Sequence, residues 1–324
     1  MSTPTSLDLP VGVRRTTIET ARGAFAALQA VPASGVCERE AALLVPGYTG
    51  SKEDFLAILD LLAEGSRQVT AIDLRGQFET PGAGDPGGYS AAALGADIVA
   101  VMHATGARHL VGHSYGGLIG REAVLAGAGS GAELASFTLM SSGPAALTGP
   151  RARELRAMLA ALGAGAGPDD GALPEAAVLR AGIAEIWQGY LEPQAVAAAI
   201  PGDIVAFLGR RMRGNDPAGL VVMARHLLTA PDRTAELARL DQLPVLVIYG
   251  EDDNAWSPAA QENMARRLGA RRLCIPAAVH SPAVEAPCTT ASALTKFWDA
   301  AETALTASGL TAPARPATVT RTAW

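Results

Sequence analysis

A serine held between closely spaced glycines is the feature that most constrains the fold of this chain. Residues 112–117 read GHSYGG and directly follow the apolar run RHLV at 108–111. The pattern predicts a buried strand that ends in a sharp turn and continues as a helix. Glycines are needed two residues before and after the serine because neighbouring backbone comes too close there for a side chain. Such a turn would expose the Ser114 hydroxyl at the end of the strand.

Short apolar or β-branched runs alternate with longer Ala/Leu-rich stretches along most of the chain. This rhythm predicts an α/β fold, with a mostly parallel eight-stranded sheet flanked by helices. The predicted strands are 17–22, 24–31, 41–45, 69–74, 109–112, 136–140, 244–249 and 272–276. The predicted helices are 53–64, 91–105, 118–126, 151–162, 175–188, 258–268 and 291–305.

The rhythm breaks at Gly143-Pro144, after which only helical patterns and Gly/Pro-rich breaks follow until the seventh predicted strand. A length of 324 residues accords with one α/β core that carries an inserted piece. We therefore expect four parts along the chain. These are a first core part at 1–143, a helical cap insertion at 144–220, a second core part at 221–308 and a flexible tail at 309–324.

Composition excludes several classes of partner. A net charge of -6 argues against nucleic acid, since phosphate binding requires clustered Lys and Arg. The three cysteines have no Cys-x-x-Cys spacing, so neither a disulfide framework nor a metal site is indicated. The first 15 residues lack the apolar core of a secretory signal, and no apolar run is long enough to span a membrane. We expect a soluble, cytoplasmic protein with a small-molecule substrate and no cofactor; the sequence does not indicate an oligomeric state.

The remaining residues of a nucleophilic site follow later in the chain. A serine needs a general base within reach and a carboxylate that orients the base. Directly after the strand PVLVIY at 244–249 comes GEDDN, which places Asp252 and Asp253 at a carboxyl end of the sheet, where open α/β sheets bind ligands. One predicted helix and one strand later comes His280. The order is therefore serine, acid, histidine.

On these residues the chain from about 40 to 305 resembles the α/β-hydrolases with an inserted helical cap. The likeness rests on the turn at Ser114, the Gly-x-x-Asp run 250–253, His280, and the run DLRG at 73–76. It implies that Ser114 is the nucleophile, that His280 is the general base and then the acid, and that Asp253 orients the histidine. The adjacent Asp252 is the rival acid. Asp73 and Arg75 are interpreted as a pair that stabilises a turn.

The other histidines allow different assignments. His226, in a helix leading out of the predicted cap, is the one rival to His280 as the base. His103 and His109 are interpreted as structural, because they fall at a helix end and a strand start. His113 is expected to pack beneath the turn that carries Ser114.

The loop after the third predicted strand, LLVPGYTGS at 43–51, resembles the segment that supplies the oxyanion hole in this family. By this likeness the backbone N-H groups of Tyr48 and Tyr115 would form the hole, and each such donor contributes about 3 kcal/mol in the transition state. Pro46 replaces the family's usual histidine before the glycine, so the hydrogen bonding within the loop must differ.

The same loop narrows the expected activity. Its GYTG run is similar to the Gly-Phe-Thr-Gly of carboxylesterases and monoacylglycerol lipases, and the proline iminopeptidase motif His-Gly-Gly-Pro-Gly is absent. The resemblance therefore implies a serine hydrolase that cleaves a carboxylic ester or thioester of a small, largely apolar substrate through an acyl-enzyme on Ser114.

Other functions stay open at this point. Acyl transfer, C-C bond hydrolysis and cyclase or lyase chemistry could use the same residues, and a ligand-binding role without turnover is a further alternative. Trp187, Tyr190 and Trp256 are candidate walls of the substrate pocket, or they pack in the interior like other aromatic residues.

Overall fold

The predicted strands all form, and they join into one sheet. The structure, a computed structural model, describes residues 2–127, 134–167 and 170–307; the predicted tail at 309–324 lies outside them. The strands are β1 (Val13–Thr20), β2 (Gly23–Ala30), β3 (Ala41–Val45), β4 (Val69–Ile72), β5 (Ala107–His113), β6 (Ser136–Met140), β7 (Val245–Gly250) and β8 (Arg271–Ile275). Their order is β1-β2-β4-β3-β5-β6-β7-β8. Strands β3 to β8 run parallel, while β1 and β2 pair antiparallel. The predicted fold class is confirmed.

The first strand begins four residues earlier than its sequence indicated. It starts at Val13, which pairs with Ala30 of β2, rather than at residue 17. Arg14 and Arg15 are exposed, so this edge strand shows no clear apolar alternation at its start. Pairing with β2 extends it, because backbone hydrogen bonds do not depend on the side chains.

Alternate residues of the central strands face two separate layers of helices. In β3, Leu43 packs in one apolar cluster with α2 (Ala91–Thr105) and α3 (Tyr115–Gly127), and Leu44 packs in the other with α1 (Leu56–Ala63). This follows from the two-residue period of a strand. Both faces of the sheet are covered, as parallel sheets require.

The chain between β6 and β7 is helical throughout its regular elements. It contains α4 (Gly149–Ala161), α5 (Ala176–Ile186), a π-helical turn (Trp187–Leu191), α6 (Glu192–Ala197), α7 (Gly202–Gly214), α8 (Pro217–Thr229) and the short α9 (Thr234–Leu237). We call residues 149–229 the helical segment. The predicted boundary at residue 220 falls inside α8, because the chain continues to Thr229 as one helix before it returns to the core.

Three further helices complete the fold: α10 (Pro258–Leu268), α11 (Pro282–Glu285) and α12 (Pro287–Ala307). Helix α12 packs with α1 on the face that carries Leu44. Among the helices that the structure describes, none has both the length and the apolar character needed to cross a bilayer.

Candidate active site

The turn after β5 holds Ser114 in a strained backbone conformation. Ser114 has φ of +54°, in the left-handed region that side chains disfavour. A Cβ added to Gly112 would lie 2.3 Å from the carbonyl oxygen of Gly116, and one added to Gly116 would lie 2.5 Å from the carbonyl oxygen of Val45. Both glycines are therefore required by close backbone contacts, as the sequence predicted, and Ser114 lies at the end of β5.

The loop after β7 brings an aspartate to the same edge of the sheet. A Cβ at Gly250 would lie 2.3 Å from the carbonyl oxygens of Ala278 and Val279, so only glycine lets β7 approach the segment before His280. The loop turns so that Asp252 is exposed and Asp253 is buried. The structure therefore separates the two candidate acids by their direction.

Ser114, His280 and Asp253 are joined by two hydrogen bonds. Nε2 of His280 lies 3.0 Å from Oγ of Ser114, and Nδ1 lies 3.0 Å from Oδ1 of Asp253. Asp253 also accepts hydrogen bonds from the backbone N-H of Ala255 at 2.9 Å and from Nε2 of Gln261 at 2.9 Å. Burial pushes the pKa of Asp253 upward, but the hydrogen bond and charge of His280, with these other donors, hold that pKa below its ordinary value.

Gln261 was missed by the sequence reasoning. It is fully buried in the first turn of α10, and it also donates to the backbone oxygen of Trp256 at 2.9 Å. A polar amide on the buried face of a predicted helix that follows the acid is the signal that could have found it.

His113 supports the histidine from below. Nε2 of His113 lies 2.7 Å from the backbone oxygen of His280. Burial, followed by the nearby His280, lowers the pKa of His113 to about 3, so its ring is neutral and its Nε2-H donates to that oxygen. The side chain therefore packs beneath the turn, and it ties the backbone of His280 to β5.

The loop from Pro46 to Ser51 lies against the serine. A Cβ at Gly47 would come within 3.0 Å of the Ser114 Cβ, so the Gly47 backbone touches the serine side chain. Nε2 of Gln77 donates to the backbone oxygen of Gly47 at 2.9 Å, and Gly50 N-H donates to the same oxygen at 3.0 Å. Gln77 thus supplies hydrogen bonding to the loop in which Pro46 precedes the glycine.

The N-H groups of Tyr48 and Tyr115 are available near this point. Within residues 2–127, 134–167 and 170–307, no acceptor is found for the N-H of Tyr48. Tyr115 is the first residue of α3, and the first N-H groups of a helix have no partner inside it. Tyr48 directly follows Gly47 and Tyr115 directly follows Ser114, and the backbone of Gly47 lies against the side chain of Ser114.

A buried cluster of charges holds the end of this loop. Lys52 is 1% exposed, and its Nζ lies 2.9 Å from Oδ2 of Asp73, 2.6 Å from Oε2 of Glu79 and 3.2 Å from Oε1 of Glu53. Burial disfavours the charged ammonium, but the surrounding carboxylates outweigh this and raise the pKa of Lys52. The chain has only two lysines against 24 arginines, so a lysine directly after the loop was a signal that the sequence reasoning did not use.

The predicted pairing of Asp73 with Arg75 is wrong. Asp73 bonds Lys52, whereas Nε of Arg75 lies 2.6 Å from Oδ2 of Asp97 in α2. The chain leaves the sheet at Ile72 and turns, so the two side chains point to different elements.

The three aromatic candidates lie in different environments. The Trp256 ring centroid is 6.5 Å from that of His280, and its Nε1 donates to the backbone oxygen of Ala145 at 2.9 Å. Trp187 is buried within the helical segment, where it packs against Gly209 of α7. Tyr190 is exposed. Of the three, Trp256 is the residue that the structure brings to His280.

The rival histidine His226 does not bond Ser114. Its Nδ1 lies 3.3 Å from the hydroxyl of Tyr115, the residue after the serine. His280 occupies the position next to the Ser114 hydroxyl instead.

A second serine–histidine–carboxylate chain is buried elsewhere in the sheet. Nδ1 of His109 lies 2.8 Å from Oγ of Ser136, and Nε2 lies 3.0 Å from Oε1 of Glu302. Ser136 and His109 are fully buried, and the His109 ring stacks on Trp298 with centroids 5.3 Å apart. This accords with the structural interpretation of His109.

Comparison with known proteins agrees with the fold. The model of the Alpha/beta hydrolase family matches residues 42–293, which is most of the chain. The chain belongs to this family. A curated relative, the RutD protein of Variovorax paradoxus (strain S110), is provisionally named a carbamate hydrolase; it is 39% identical over 93 residues. That match spans 28% of this chain and 35% of the relative, about a third of the relative's length.

Solved structures of hydrolases share the fold over almost the whole chain. A thermophilic esterase from Thermogutta terrifontis has a TM-score of 0.65 and 21% identity, and the match covers 89% of this chain and 99% of the esterase. The enol-lactonase from Burkholderia xenovorans LB400 has a TM-score of 0.63 and 19% identity, covering 88% of this chain and 100% of the lactonase. The protein is thus similar in fold to hydrolases that act on different substrates.

Proposed function

We propose that this protein is a serine hydrolase that cleaves a carboxylic ester or thioester of a small, largely apolar substrate through an acyl-enzyme on Ser114. The observation that carries the proposal is the pair of 3.0 Å hydrogen bonds from His280 to Ser114 and to Asp253. A neutral imidazole that donates from Nδ1 to a carboxylate presents a free lone pair on Nε2 to the serine hydroxyl. In this proposal Ser114 is the nucleophile, His280 the general base and Asp253 the orienting acid.

In the acylation step, Oγ of Ser114 forms a bond to the substrate carbonyl carbon while its proton passes to Nε2 of His280. The carbonyl oxygen becomes an oxyanion, which accepts hydrogen bonds from the N-H groups of Tyr48 and Tyr115. Asp253 stabilises the imidazolium that forms. The tetrahedral intermediate then breaks its C-O or C-S bond, and His280 gives the proton to the leaving oxygen or sulfur.

Deacylation repeats these steps with water. The oxygen of a water molecule attacks the acyl carbon while His280 takes a proton from that water. The proton then passes to Oγ of Ser114 when the ester bond to the enzyme breaks. The products are the carboxylic acid and free enzyme.

The helical segment would act as the cap in this scheme. Ser114 is 8% exposed, and the hydroxyl of Tyr48, from the loop that lies against the serine, reaches Leu220 of α8 at 3.0 Å and Met158 of α4 at 3.8 Å. Trp256 offers apolar surface near His280, which favours an apolar acyl or alcohol group.

A fluorophosphonate probe tests the proposal, because it phosphonylates activated serines. We expect labelling of the wild type and none of Ser114→Ala, together with turnover of short acyl esters. Ser142→Ala is the matched control, since Ser142 is a buried serine that packs directly against Gly117 of the turn. Labelling that persists in Ser114→Ala would contradict the assigned nucleophile. Products formed with alcohol or amine acceptors in place of water would indicate acyl transfer instead of hydrolysis.

A further inference from the structure

Both tyrosines that carry the proposed oxyanion donors reach the same helix. The hydroxyl of Tyr48 lies 3.0 Å from the backbone oxygen of Leu220. The hydroxyl of Tyr115 lies 3.3 Å from Nδ1 of His226. Leu220 and His226 both belong to α8. Two loops that are distant along the chain are therefore connected through α8.

The protonation states of these groups suit the two hydrogen bonds. Burial raises the pKa of both phenols, so each keeps its proton and donates. Burial, with a smaller contribution from Arg121, lowers the pKa of His226 to about 4. At neutral pH its imidazole is therefore uncharged, and Nδ1 can accept from the Tyr115 hydroxyl when Nε2 carries the proton.

Helix α8 is itself attached to the core near both ends. At its start, Oδ1 of Asp216 accepts the N-H groups of Ala218 and Gly219, and Asp216 N-H donates to the backbone oxygen of Gly76 at 2.7 Å. Near its end, Leu147 N-H donates to the backbone oxygen of Leu227 at 2.8 Å. A helix held in this way can serve as a fixed reference for the loops that bond to it.

We propose that α8 positions the oxyanion donors through these phenols. The hydroxyls of Tyr48 and Tyr115 and the imidazole of His226 are then positioning groups for the acylation and deacylation of Ser114. This inference rests on the function proposed above and deepens it. An oxyanion donor acts only within a narrow range of distances from the developing charge, about 2.7 to 3.1 Å. A phenol anchored to α8 restricts the movement of its own backbone N-H, because a rigid ring and only two rotatable bonds connect them.

Loss of either hydroxyl should lower kcat and leave KM almost unchanged. The hydroxyls hold groups that bind the oxyanion, which exists only after attack, and they have no assigned role in holding the substrate. Their loss should therefore raise the free energy of the transition state more than that of the enzyme–substrate complex.

Removing each hydroxyl while keeping the ring provides the test. For Tyr48→Phe and Tyr115→Phe we expect kcat for a short acyl ester to fall about tenfold each, with KM changed less than about twofold. Inhibition by a trifluoromethyl ketone should weaken in parallel, because its adduct with a serine carries an oxyanion. Thermal unfolding followed by circular dichroism shows whether each variant remains folded.

Tyr249→Phe is the matched control. Tyr249 is a buried tyrosine in β7. This variant removes a buried phenol that, among the residues the structure describes, bonds neither α8 nor either donor segment. We expect its kcat and its inhibition by the ketone to remain at wild-type values.

A second pair of variants tests the same hydrogen bond from the α8 side. His226→Asn can keep an acceptor for the Tyr115 hydroxyl, whereas His226→Leu cannot. We expect His226→Asn to stay within about threefold of wild-type kcat and His226→Leu to match Tyr115→Phe. Combining His226→Leu with Tyr115→Phe should add no further loss, because both remove one interaction. This pair also serves if Tyr115→Phe does not fold.

The outcomes separate the two proposals. Wild-type turnover together with undiminished ketone inhibition in both phenol variants would overturn the role of α8 alone. A kcat loss in Tyr249→Phe equal to theirs would overturn it too, since the loss of any buried phenol would then have the same effect. A wild-type protein that neither hydrolyses esters nor reacts with a fluorophosphonate would overturn the proposed function and this inference with it.

Discussion

Two serine–histidine–carboxylate chains lie at opposite ends of the same parallel strands. Ser114, with His280 and Asp253, follows the carboxyl end of β5. Ser136 begins the neighbouring β6, and its partner His109 lies near the start of β5. Open α/β sheets bind ligands outside the carboxyl ends of their strands. Of the two hydrogen-bonded sets, only Ser114 with His280 and Asp253 lies at that end of the sheet.

The two serines differ in backbone conformation. Ser114 has φ of +54° in a turn flanked by glycines, and the loop at Gly47 touches its side chain. Ser136 is a fully buried residue of a regular strand, and its N-H and C=O environment is that of the sheet. In the proposed mechanism a substrate carbonyl approaches Ser114, whereas Ser136 is fully enclosed.

The two carboxylates differ in their charge partners. Asp253 is held by His280 and by the uncharged donors Gln261 and Ala255 N-H. Glu302 also accepts from the guanidinium of Arg67 at 2.6 Å. An arginine beside the acid already neutralises it, so less of its charge remains to stabilise a protonated histidine. The two sets therefore differ in the backbone conformation of the serine and in the charge that surrounds the acid.

The largest expected effect is on kcat, and it distinguishes the hydrogen-bonded set at Ser114 from the set at Ser136. Ser114→Ala and His280→Ala should each lower kcat by about ten-thousandfold or more, because they remove the nucleophile or its base. Ser136→Ala and His109→Gln should stay within about threefold of wild type, since neither residue reaches the substrate. Steady-state ester hydrolysis by the purified variants measures this. Comparable losses in both sets would remove the distinction.

The carboxylates should differ next. Asp253→Asn is expected to lower kcat by about a hundredfold to ten-thousandfold, because the amide no longer fixes the histidine tautomer or balances its charge. Asp252→Asn and Glu302→Gln serve as controls and should change kcat by less than about threefold, since Asp252 is exposed and Glu302 bonds His109. The same kinetic assay decides it. A larger loss in Asp252→Asn than in Asp253→Asn would reassign the acid.

Stability should show the opposite ranking. His109→Ala removes a fully buried ring stacked on Trp298 and is expected to lower the free energy of unfolding by about 2 to 4 kcal/mol. The side chain of His280 is 21% exposed, and His280→Ala should cost less than about 1 kcal/mol. Urea denaturation of both variants tests the ranking. Equal losses would mean that His109 contributes no more to the free energy of unfolding than His280 does.

The smallest expected effect concerns acid stability. Burial raises the pKa of Glu302, but hydrogen bonds from His109 and Arg67 outweigh it and hold that pKa at about 2, below the ordinary 4.5. Because the unfolded chain binds the proton more tightly, this contribution is present above pH 4.5 and is lost as the pH falls toward 2. After solvent screening it amounts to roughly 1 to 2 kcal/mol. Unfolding free energies measured across this range should fall less steeply for Glu302→Gln than for wild type.

Much of the sheet and of the candidate site follows from local patterns. The run GHSYGG after an apolar strand predicted the turn at Ser114, and the resemblance to the α/β-hydrolases favoured Asp253 over Asp252. The turn at Ser114 and the approach of β7 to the segment before His280 both depend on backbone geometry, because glycines at 112, 116 and 250 allow contacts that any Cβ would block. Such constraints leave a mark in the sequence, since only one residue type satisfies them.

Hydrogen bonds between segments that are distant along the chain left no comparable signal in the sequence. His113 and Gln77 are polar residues of ordinary type, and their roles arise from which backbone oxygen lies within about 3 Å of them. The pairing of Arg75 with Asp97 rather than Asp73 has the same origin. Side-chain hydrogen bonds depend on positions in space that sequence spacing does not encode.

The amino-acid sequence alone determined the α/β class, the eight strands and the glycine-flanked turn at Ser114, because strand period and glycine turns are local consequences of residue type. Tertiary structure alone decided which histidine lies next to which serine. It left the His280 side chain 21% exposed beside Ser114 and enclosed Ser136 and His109 completely, because burial is set by the packing of helices from distant parts of the chain.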